Sequence, residues 1–344
     1  IIWRSFVALL LWMTSWVVTI IAGCTHWSQV MLKRFYLPTN TSPAFDNLSW
    51  HLSRLGWHKQ ANNALITAEH FNFNEHVANT LEYKHLLAQF IHQYLPQGIM
   101  PLTYEVDDTN WPSILALIAA KRLANRVWIL KPALLNNGQH IHLFESLDDI
   151  AKHFKQSKRL GGTHVLQHYL TPHLLRDNRK YSIRCFMVLT SHAQAYLYPT
   201  GYMNVAKTPY SADLTALSAH LTNEHLFEQQ TNVIQIPSSQ FSWYPTLLPH
   251  IKRVLSTLSQ QLMHHYTQAF CTKNPLKWAI FGMDFMLDNT QHLWLLEANH
   301  GPCFPSARHH PLQAYVYDGF WCAFIKQFID KDLQLTKQES LIAL

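Results

Sequence analysis

The chain has 344 residues, 48% of them hydrophobic, enough to bury a sizeable core in two or three compact units. Charged residues make up only 14% and the formal net charge is +6, an excess that suits an anionic partner such as a nucleotide, an acidic peptide or a membrane surface, although a slightly basic enzyme needs none. The absence of a dense Lys/Arg stripe with interleaved aromatics argues against nucleic acid, and five scattered Cys without CxxC spacing argue against a disulfide framework or a zinc knuckle.

The first segment, Phe6 to Ala22, is strongly apolar and follows Arg4. Ile21-Ala22-Gly23-Cys24 reads as a bacterial lipoprotein cleavage box with Cys24 as the lipidated residue. An uncleaved anchor and a segment foreign to the native chain are the competing readings of residues 1–30. Lys33 and Arg34 beyond the run favour keeping its C-terminal side inside the cell.

From there, Phe35 to Pro38 reads as a short strand and Asn47 to Leu55 as a helix stopped by Gly56. A stronger helix is expected over Leu81 to Tyr94, with Leu86, Leu87, Phe90, Ile91 and Tyr94 near one face. Pro112 opens a helix to Asn125. Val127 to Leu130 is an apolar strand running into Lys131-Pro132, and Ile141 to Phe144 returns beside it. Ser146 with Asp149 caps a helix to about Gln156. Thr163 to Leu170, Tyr181 to Thr190, Ala193 to Tyr198 and Tyr202 to Ala206 read as strands. Ile251, Val254, Leu255, Leu258 and Leu262 mark a long amphipathic helix. Trp278 to Leu287 and His292 to Ala298 form a hairpin, and Tyr315 to Ile329 a terminal helix. The mixture predicts an α+β fold.

The hairpin carries the strongest chemistry. With Asn289-Thr290 as a two-residue loop, Asp284 falls opposite Leu295, and alternation puts Asp284, Leu295, Glu297 and Asn299 on one face. Two carboxylates among large apolar residues are costly to bury without a cation. Mg²⁺, which takes oxygen ligands and bridges protein to phosphates, suits them; a solvated sheet edge is the alternative. The 23 His residues include adjacent pairs such as His264/His265 and His309/His310, which share no face and read as ordinary histidines.

No Walker A sequence or GxGxxG occurs. Lys131 instead ends an apolar strand beside the turn Asn136-Asn137-Gly138, from where a lysine reaches phosphates or, alternatively, snorkels to the surface. On the strand Arg179 to Cys185, Lys180, Ser182 and Arg184 share one face and Tyr181, Ile183 and Cys185 the other. Two cations on one face call for anions or for solvent.

Phe-Gly-x-Asp-Phe-x-x-Asp at Phe281 to Asp288, then Trp-Leu-x-Glu-x-Asn-x-x-Pro from Trp294, resembles the signature of the tubulin–tyrosine ligase family with its glutamylating and glycylating relatives. Trp128 to Pro132, Arg179 to Arg184, Gln167 to Leu170 and the tetrapeptide His220-Leu221-Thr222-Asn223 are similar to further family segments. The resemblance spans Arg34 to Ile329 and is specific from Trp128 onward. It implies an ATP-grasp fold, with ATP between two α/β subdomains (residues 99–170 and 171–330), a small N-terminal α/β domain (33–98) and a tail (331–344). It implies Mg²⁺ on Asp284, Glu297 and Asn299. It further implies nucleotide contacts from Lys84, Lys131, Gln167, His168, Tyr169, Lys180 and Asn223, and catalytic roles for Lys180 and Arg184. The activity implied joins a carboxylate to an amine through an acyl phosphate. The partners implied are an amino-acid co-substrate and a peptide or protein acceptor with an acidic tail, tubulin among them, worked on by a monomer; a non-catalytic nucleotide or acidic-peptide binder of the same fold is the alternative. A lipoprotein-like Cys24 would add membrane attachment through residues 1–24. His168, Ser182, Asn204, Asn137 and His140 depart from the family pattern. The departures leave the metal set intact and put the substrate side in doubt.

Overall fold

The computed structural model describes residues 33–224, 226, 231–271, 275–302, 304, 310–334 and 340–344. The apolar leader, Cys24, Cys303 and His309 lie outside the described residues. Among the described residues no helix is long and apolar enough to cross a membrane.

A small parallel sheet comes first. β1 (Arg34–Tyr36) is followed by α1 (Pro43–Arg54), which starts with Pro in its first turn. β2 (His58–Lys59) and β3 (Ile66–Thr67) then flank β1 on either side. The single helix expected over Leu81 to Tyr94 is two. α2 (Glu75–Glu82) is capped by Asn74, whose side chain accepts from the Val77 N–H, and α3 (Lys84–Tyr94) follows. Tyr83 between them is extended, with φ −81° and ψ 119°. An apolar stripe at helical period reads the same through such a break, because one extended residue only re-aims the axis. The break makes Lys84 the first residue of α3.

The second sheet is antiparallel, in the order β4-β7-β5-β6. Its elements are β4 (Thr103–Val106), α4 (Trp111–Ala120), β5 (Trp128–Pro132), β6 (His142–Phe144), α5 (Leu147–Phe154) and β7 (His164–His168). Ser146 caps α5 by accepting from the Asp149 N–H, as its sequence predicts. Trp128, Leu130 and Leu166 pack with Leu115, Ile118, Ile150 and Phe154 of the helices. Strand alternation therefore turns Thr103, Ile129, Lys131 and Gln167 to the other face.

The third sheet runs β10-β9-β8-β11-β12, with β13 (Ile342–Ala343) also on β9. It is built from β8 (Tyr181–Thr190), β9 (Gln194–Ala206), β10 (Val233–Pro237), β11 (Trp278–Leu287) and β12 (Leu293–His300). α6 (Leu217–His220) and α7 (Tyr244–His265) interrupt them, and α8 (Asp318–Phe328) follows a π-helical turn at Gln313–Tyr317. The strands expected at Ala193 to Tyr198 and Tyr202 to Ala206 are one strand, β9. Its register against β8 shifts between Arg184 and Phe186, so Pro199 to Gly201 forms an irregularity and not a turn.

One face of this sheet, with Ile183, Met187, Met203, Phe281, Met283 and Phe285, packs against α2, α3 and α7 in the largest core. At about 1.5–3 kcal/mol for each large apolar side chain buried, this layer supplies most of the burial energy that holds β8 and β11 in place. The opposite face is divided. Phe186, Tyr198, Trp278, Phe304, Phe320, Trp321 and Phe324 form an aromatic core with α8 and α1. The other half of that face is polar: Lys180, Ser182, Arg184, Asn204 and Asp284.

Candidate active site

The polar half of the large sheet faces the lysine-bearing side of the four-stranded sheet. A cleft of about 110 Å³ is lined by Ile129 and Lys131 from β5, Lys180, Ser182 and Arg184 from β8, Asn204 from β9, Asp284 and Met286 from β11, and Leu296 and Glu297 from β12. The segment His220 to Asn223 closes one side. Residues as distant in sequence as Ile129 and Glu297 thus share one small volume, because two sheets present one face each.

The hairpin register differs from the expected one. Its loop has three residues, Asn289 to Gln291, with Gln291 in the left-handed region at φ 65°. Asp288 holds it by accepting from the Thr290 and His292 N–H groups at 2.9 Å each and from Trp294 Nε1 at 2.8 Å. Phe285 then pairs with Leu295, and a shift between Asp284 and Phe285 sets Asp284 directly opposite Glu297. Leu296 is the extra residue. It moves Leu295 to the core face and leaves Asp284, Glu297 and Asn299 together on the cleft face.

Asp284 is buried and is gripped by Arg184, whose Nε and Nη2 donate to its two carboxylate oxygens at 2.5 and 2.7 Å. Asn299 Nδ2 donates to Asp284 Oδ2 at 3.2 Å and to Glu297 Oε1 at 3.5 Å. Lys84 Nζ lies 3.8 Å from Glu297 Oε2 and donates to the Leu135 carbonyl at 2.8 Å. Burial pushes the Asp284 carboxyl up, and the neighbouring Glu297 charge adds to this against the pull of Arg184. Burial acts on Glu297 in the same sense, but Lys84 and Lys131 outweigh it and bring the carboxyl below its usual range. Burial also opposes the charge of Arg184, which Asp284 more than restores.

Two lysines balance this pair. Lys131 is pulled down to about 8 by burial, with Glu297 offsetting part of the effect. Lys180 is pulled down to about 7 by burial and by the nearby Lys131 charge. Lys131 Nζ donates to Gln167 Oε1 at 2.9 Å, and Lys180 Nζ donates to the Tyr169 hydroxyl at 3.1 Å. Among the described residues neither forms an ion pair with a carboxylate. Two partly desolvated ammonium groups without a bonded carboxylate form a positively charged pair on one wall of the cleft, with the Glu297 charge nearby.

The residues expected at the site fall into three groups. Lys84, Lys131, Lys180, Arg184, Asp284, Glu297 and Asn299 converge. Asn223 also reaches the cleft, and a Cβ placed on Gly138 would lie 3.1 Å from its Oδ1, so the Asn136 to Gly138 turn rests on it. Gln167 and Tyr169 meet the cleft through the two lysines. His168 points the other way, its Nδ1 3.4 Å from Arg126 Nη1, into a separate cavity of about 610 Å³ with Met100, Leu170 and Trp294. The departures have local partners: Thr222 donates to Ser182 Oγ at 2.9 Å, and Gln235 Nε2 donates to Asn204 Oδ1 at 3.1 Å and to Glu224 Oε2 at 3.2 Å. Thr103, Gln235 and the histidine of His220-Leu221-Thr222-Asn223 escape the sequence reading, since each is one polar residue whose partner lies on another element.

Two carboxylates and a side-chain amide on adjacent strands are the oxygen-bearing set that would hold magnesium; Asn299 donates its N–H to both carboxylates here and would offer its oxygen to a cation by turning its amide over. Among the described residues no group of three or more His, Cys, Asp or Glu is placed to hold a metal ion.

The chain is 25% identical over 209 residues to protein polyglycylase TTLL10 of Macaca fascicularis, covering 52% of this chain and 34% of that protein. It is 25% identical over 213 residues to the inactive polyglycylase TTLL10 of Homo sapiens, covering 52% and 31%. It is 28% identical over 227 residues to a probable beta-tubulin polyglutamylase of Tetrahymena thermophila, covering 57% and 18%. The chain spans about a third of the length of the first of these relatives. The sequence model of the tubulin-tyrosine ligase family matches residues 59–310, and the chain belongs to the tubulin-tyrosine ligase family.

Proposed function

We propose that this protein is an ATP- and Mg²⁺-dependent ligase that adds an amino acid to a carboxylate of a peptide or protein. In this reading the fold is an ATP-grasp: residues 99–170 and 171–330 hold the nucleotide between them, and residues 33–98 form a small N-terminal domain. The observation that carries the proposal is the convergence of Lys131 and Lys180 with Asp284 and Glu297 in one cleft between two sheets, with Asn299 hydrogen-bonded to both carboxylates. ATP supplies the phosphoryl group that turns a carboxylate into an acyl phosphate, from which an amine displaces phosphate.

The protein's share is binding, orientation and charge. Lys131 and Lys180 neutralise phosphate oxygens. Asp284, Glu297 and Asn299 hold Mg²⁺, with Lys84 and Arg184 fixing the two carboxylates. Ile129, Met286 and Leu296 offer an apolar wall for the base. Arg184 lines both this cleft and an adjoining cavity of about 520 Å³ shared with Asn204, Glu224 and Tyr202, where the acceptor would enter. A fixed array of charges of this kind stabilises a charged transition state without reorganising.

The relatives' names, polyglycylase and beta-tubulin polyglutamylase, make tubulin-like acidic tails the first acceptors to try and glycine and glutamate the first co-substrates. The test is twofold. Mg²⁺–ATP should raise the thermal midpoint of the chain, because a ligand that binds only the folded state stabilises it by mass action. Glu297→Gln keeps the shape and removes one charge, so it should abolish the Mg²⁺-dependent part of that rise; an unchanged rise would rule out the metal assignment. Amino-acid-dependent ADP release separates ligase from binder. The binder reading has one specific support, the uncharged Ser182 and Asn204 on the acceptor side, and nucleotide binding with no ADP release would establish it.

A further inference from the structure

Each cleft lysine stands at the end of a chain of hydrogen bonds that runs to a backbone carbonyl. Lys180 Nζ donates to the Tyr169 hydroxyl at 3.1 Å and sits 4.5 Å from the centre of the Tyr169 ring. The Tyr169 hydroxyl lies 2.9 Å from His220 Nδ1, and His220 Nε2 lies 2.9 Å from the Asp213 carbonyl oxygen. With both lysines protonated, the hydrogen-bond directions follow from the partners. A carbonyl only accepts, so His220 Nε2 carries a hydrogen. In neutral His220, the form that burial favours by lowering its pKa, Nδ1 is an acceptor and the tyrosine donates to it. The tyrosine oxygen is then left to accept from Lys180, which only donates.

The second chain has the same logic. Lys131 only donates, so the Gln167 atom facing it at 2.9 Å is the amide oxygen. The Gln167 nitrogen therefore donates to Thr103 Oγ1 at 2.9 Å, and Thr103 passes its own hydrogen to the Pro101 carbonyl at 2.6 Å. Thr103, Gln167, Lys180 and His220 are all buried, where a misdirected donor finds no water to satisfy it.

We propose that His220 and Thr103 are positioning residues, which fix the ammonium groups of Lys180 and Lys131 where an anionic phosphate is received. Neither is hydrogen-bonded to the cleft's carboxylates, although His220 lines one side of the cleft; each acts through one intermediate side chain on one lysine. This role rests on the nucleotide reading of the cleft. Neither long flexible lysine is then free to wander among rotamers, so less side-chain entropy is lost on binding.

The experiment is a pair of double-mutant cycles on the full chain, read as Mg²⁺–ATP affinity by calorimetry. His220→Phe in the wild-type background should weaken binding roughly tenfold, and in the Lys180→Ala background it should change affinity less than about twofold. Thr103→Val should behave in the same way with respect to Lys131→Ala. Equal losses in both backgrounds would mean a merely structural role and would overturn the proposal. So would tighter binding on breaking the chain, which would make the tyrosine contact a resting place that competes with phosphate. If His220→Phe does not fold, Tyr169→Phe, which keeps the ring and removes the hydroxyl, carries the same cycle. If Lys180→Ala and Lys131→Ala bind Mg²⁺–ATP as the wild type does, the nucleotide reading itself fails, a result distinct from the others.

Discussion

Two glycines show how tightly Arg184 is held. A Cβ on Gly282 would lie 2.9 Å from Arg184 Nη1 and 3.1 Å from its Cδ, against a side chain that can yield at the expense of its grip on Asp284. A Cβ on Gly201 would lie 2.1 Å from the Arg184 carbonyl oxygen, against backbone that cannot yield without moving β8. Gly201→Ala is therefore expected to cost about 3 kcal/mol or more of stability, at the upper end of overpacking effects, and Gly282→Ala about 1 kcal/mol. Urea unfolding at unchanged m value measures both, and a Gly201→Ala variant within about 0.5 kcal/mol of wild type would contradict the close approach. Glycine is what allows β9 to pass this point as one strand. The sequence offers two strands there, because Pro199, Thr200 and Gly201 read as a turn until the partner strand is known. The metal-type residues are legible for the opposite reason: Asp284, Glu297 and Asn299 lie within one hairpin, where local alternation nearly suffices.

At the level of elements, alternation falls short by a single residue. Counting back from a two-residue loop sets Asp284 opposite Leu295, whereas the three-residue loop and the extra Leu296 set it opposite Glu297. Period-two alternation carries no memory of a bulge, so it assigns Leu295 to the wrong face while still bringing the two carboxylates together. α5 and β6 carry a different consequence of packing. His153 on α5 is buried, with its ring centre 4.5 Å from that of His142 on β6. Burial, with the neighbouring His142 and His164 charges adding to it, lowers His153 from 6.5 to about 4. A histidine whose folded pKa lies below its unfolded value favours the folded state fully above about pH 6.5 and loses that contribution as the pH falls toward 4. The loss amounts to roughly 3 kcal/mol at most. His153→Gln, which does not titrate, should lose less stability than wild type between pH 7 and pH 4; parallel losses would show that His153 protonates freely in the folded chain.

At the scale of the whole molecule, the cleft exists because each of two sheets uses one face for packing and keeps the other for charge. That division is visible for β8 from its own alternation of Lys180, Ser182 and Arg184. The opposing contribution of Thr103 and Gln167 is not, since nothing in one strand says which sheet it will face. The acceptor side is where this division leaves a choice. Ser182, bonded to Thr222, lines the lysine cleft, and Asn204, bonded to Gln235, lines both that cleft and the cavity that adjoins Arg184; neither carries a charge. A serine cannot orient a cation as a carboxylate does, and an asparagine cannot make the bidentate pair that arginine makes with a carboxylate or phosphate. In the proposed reading nucleotide binding rests on Lys131, Lys180 and the hairpin, and it should survive intact. Ligation onto acidic peptides should be slow, because losing one charged contact that strengthens in the transition state costs on the order of 10²–10³ in rate. Ser182→Asp with Asn204→Arg should then raise amino-acid-dependent ADP release measured at saturating Mg²⁺–ATP. The introduced arginine finds Glu224 within the same cavity, which spares it an unpaired burial. Robust glycine or glutamate transfer by the unaltered chain would show instead that Ser182 and Asn204 serve an acceptor that needs no such charges, and the double substitution would then lower the rate.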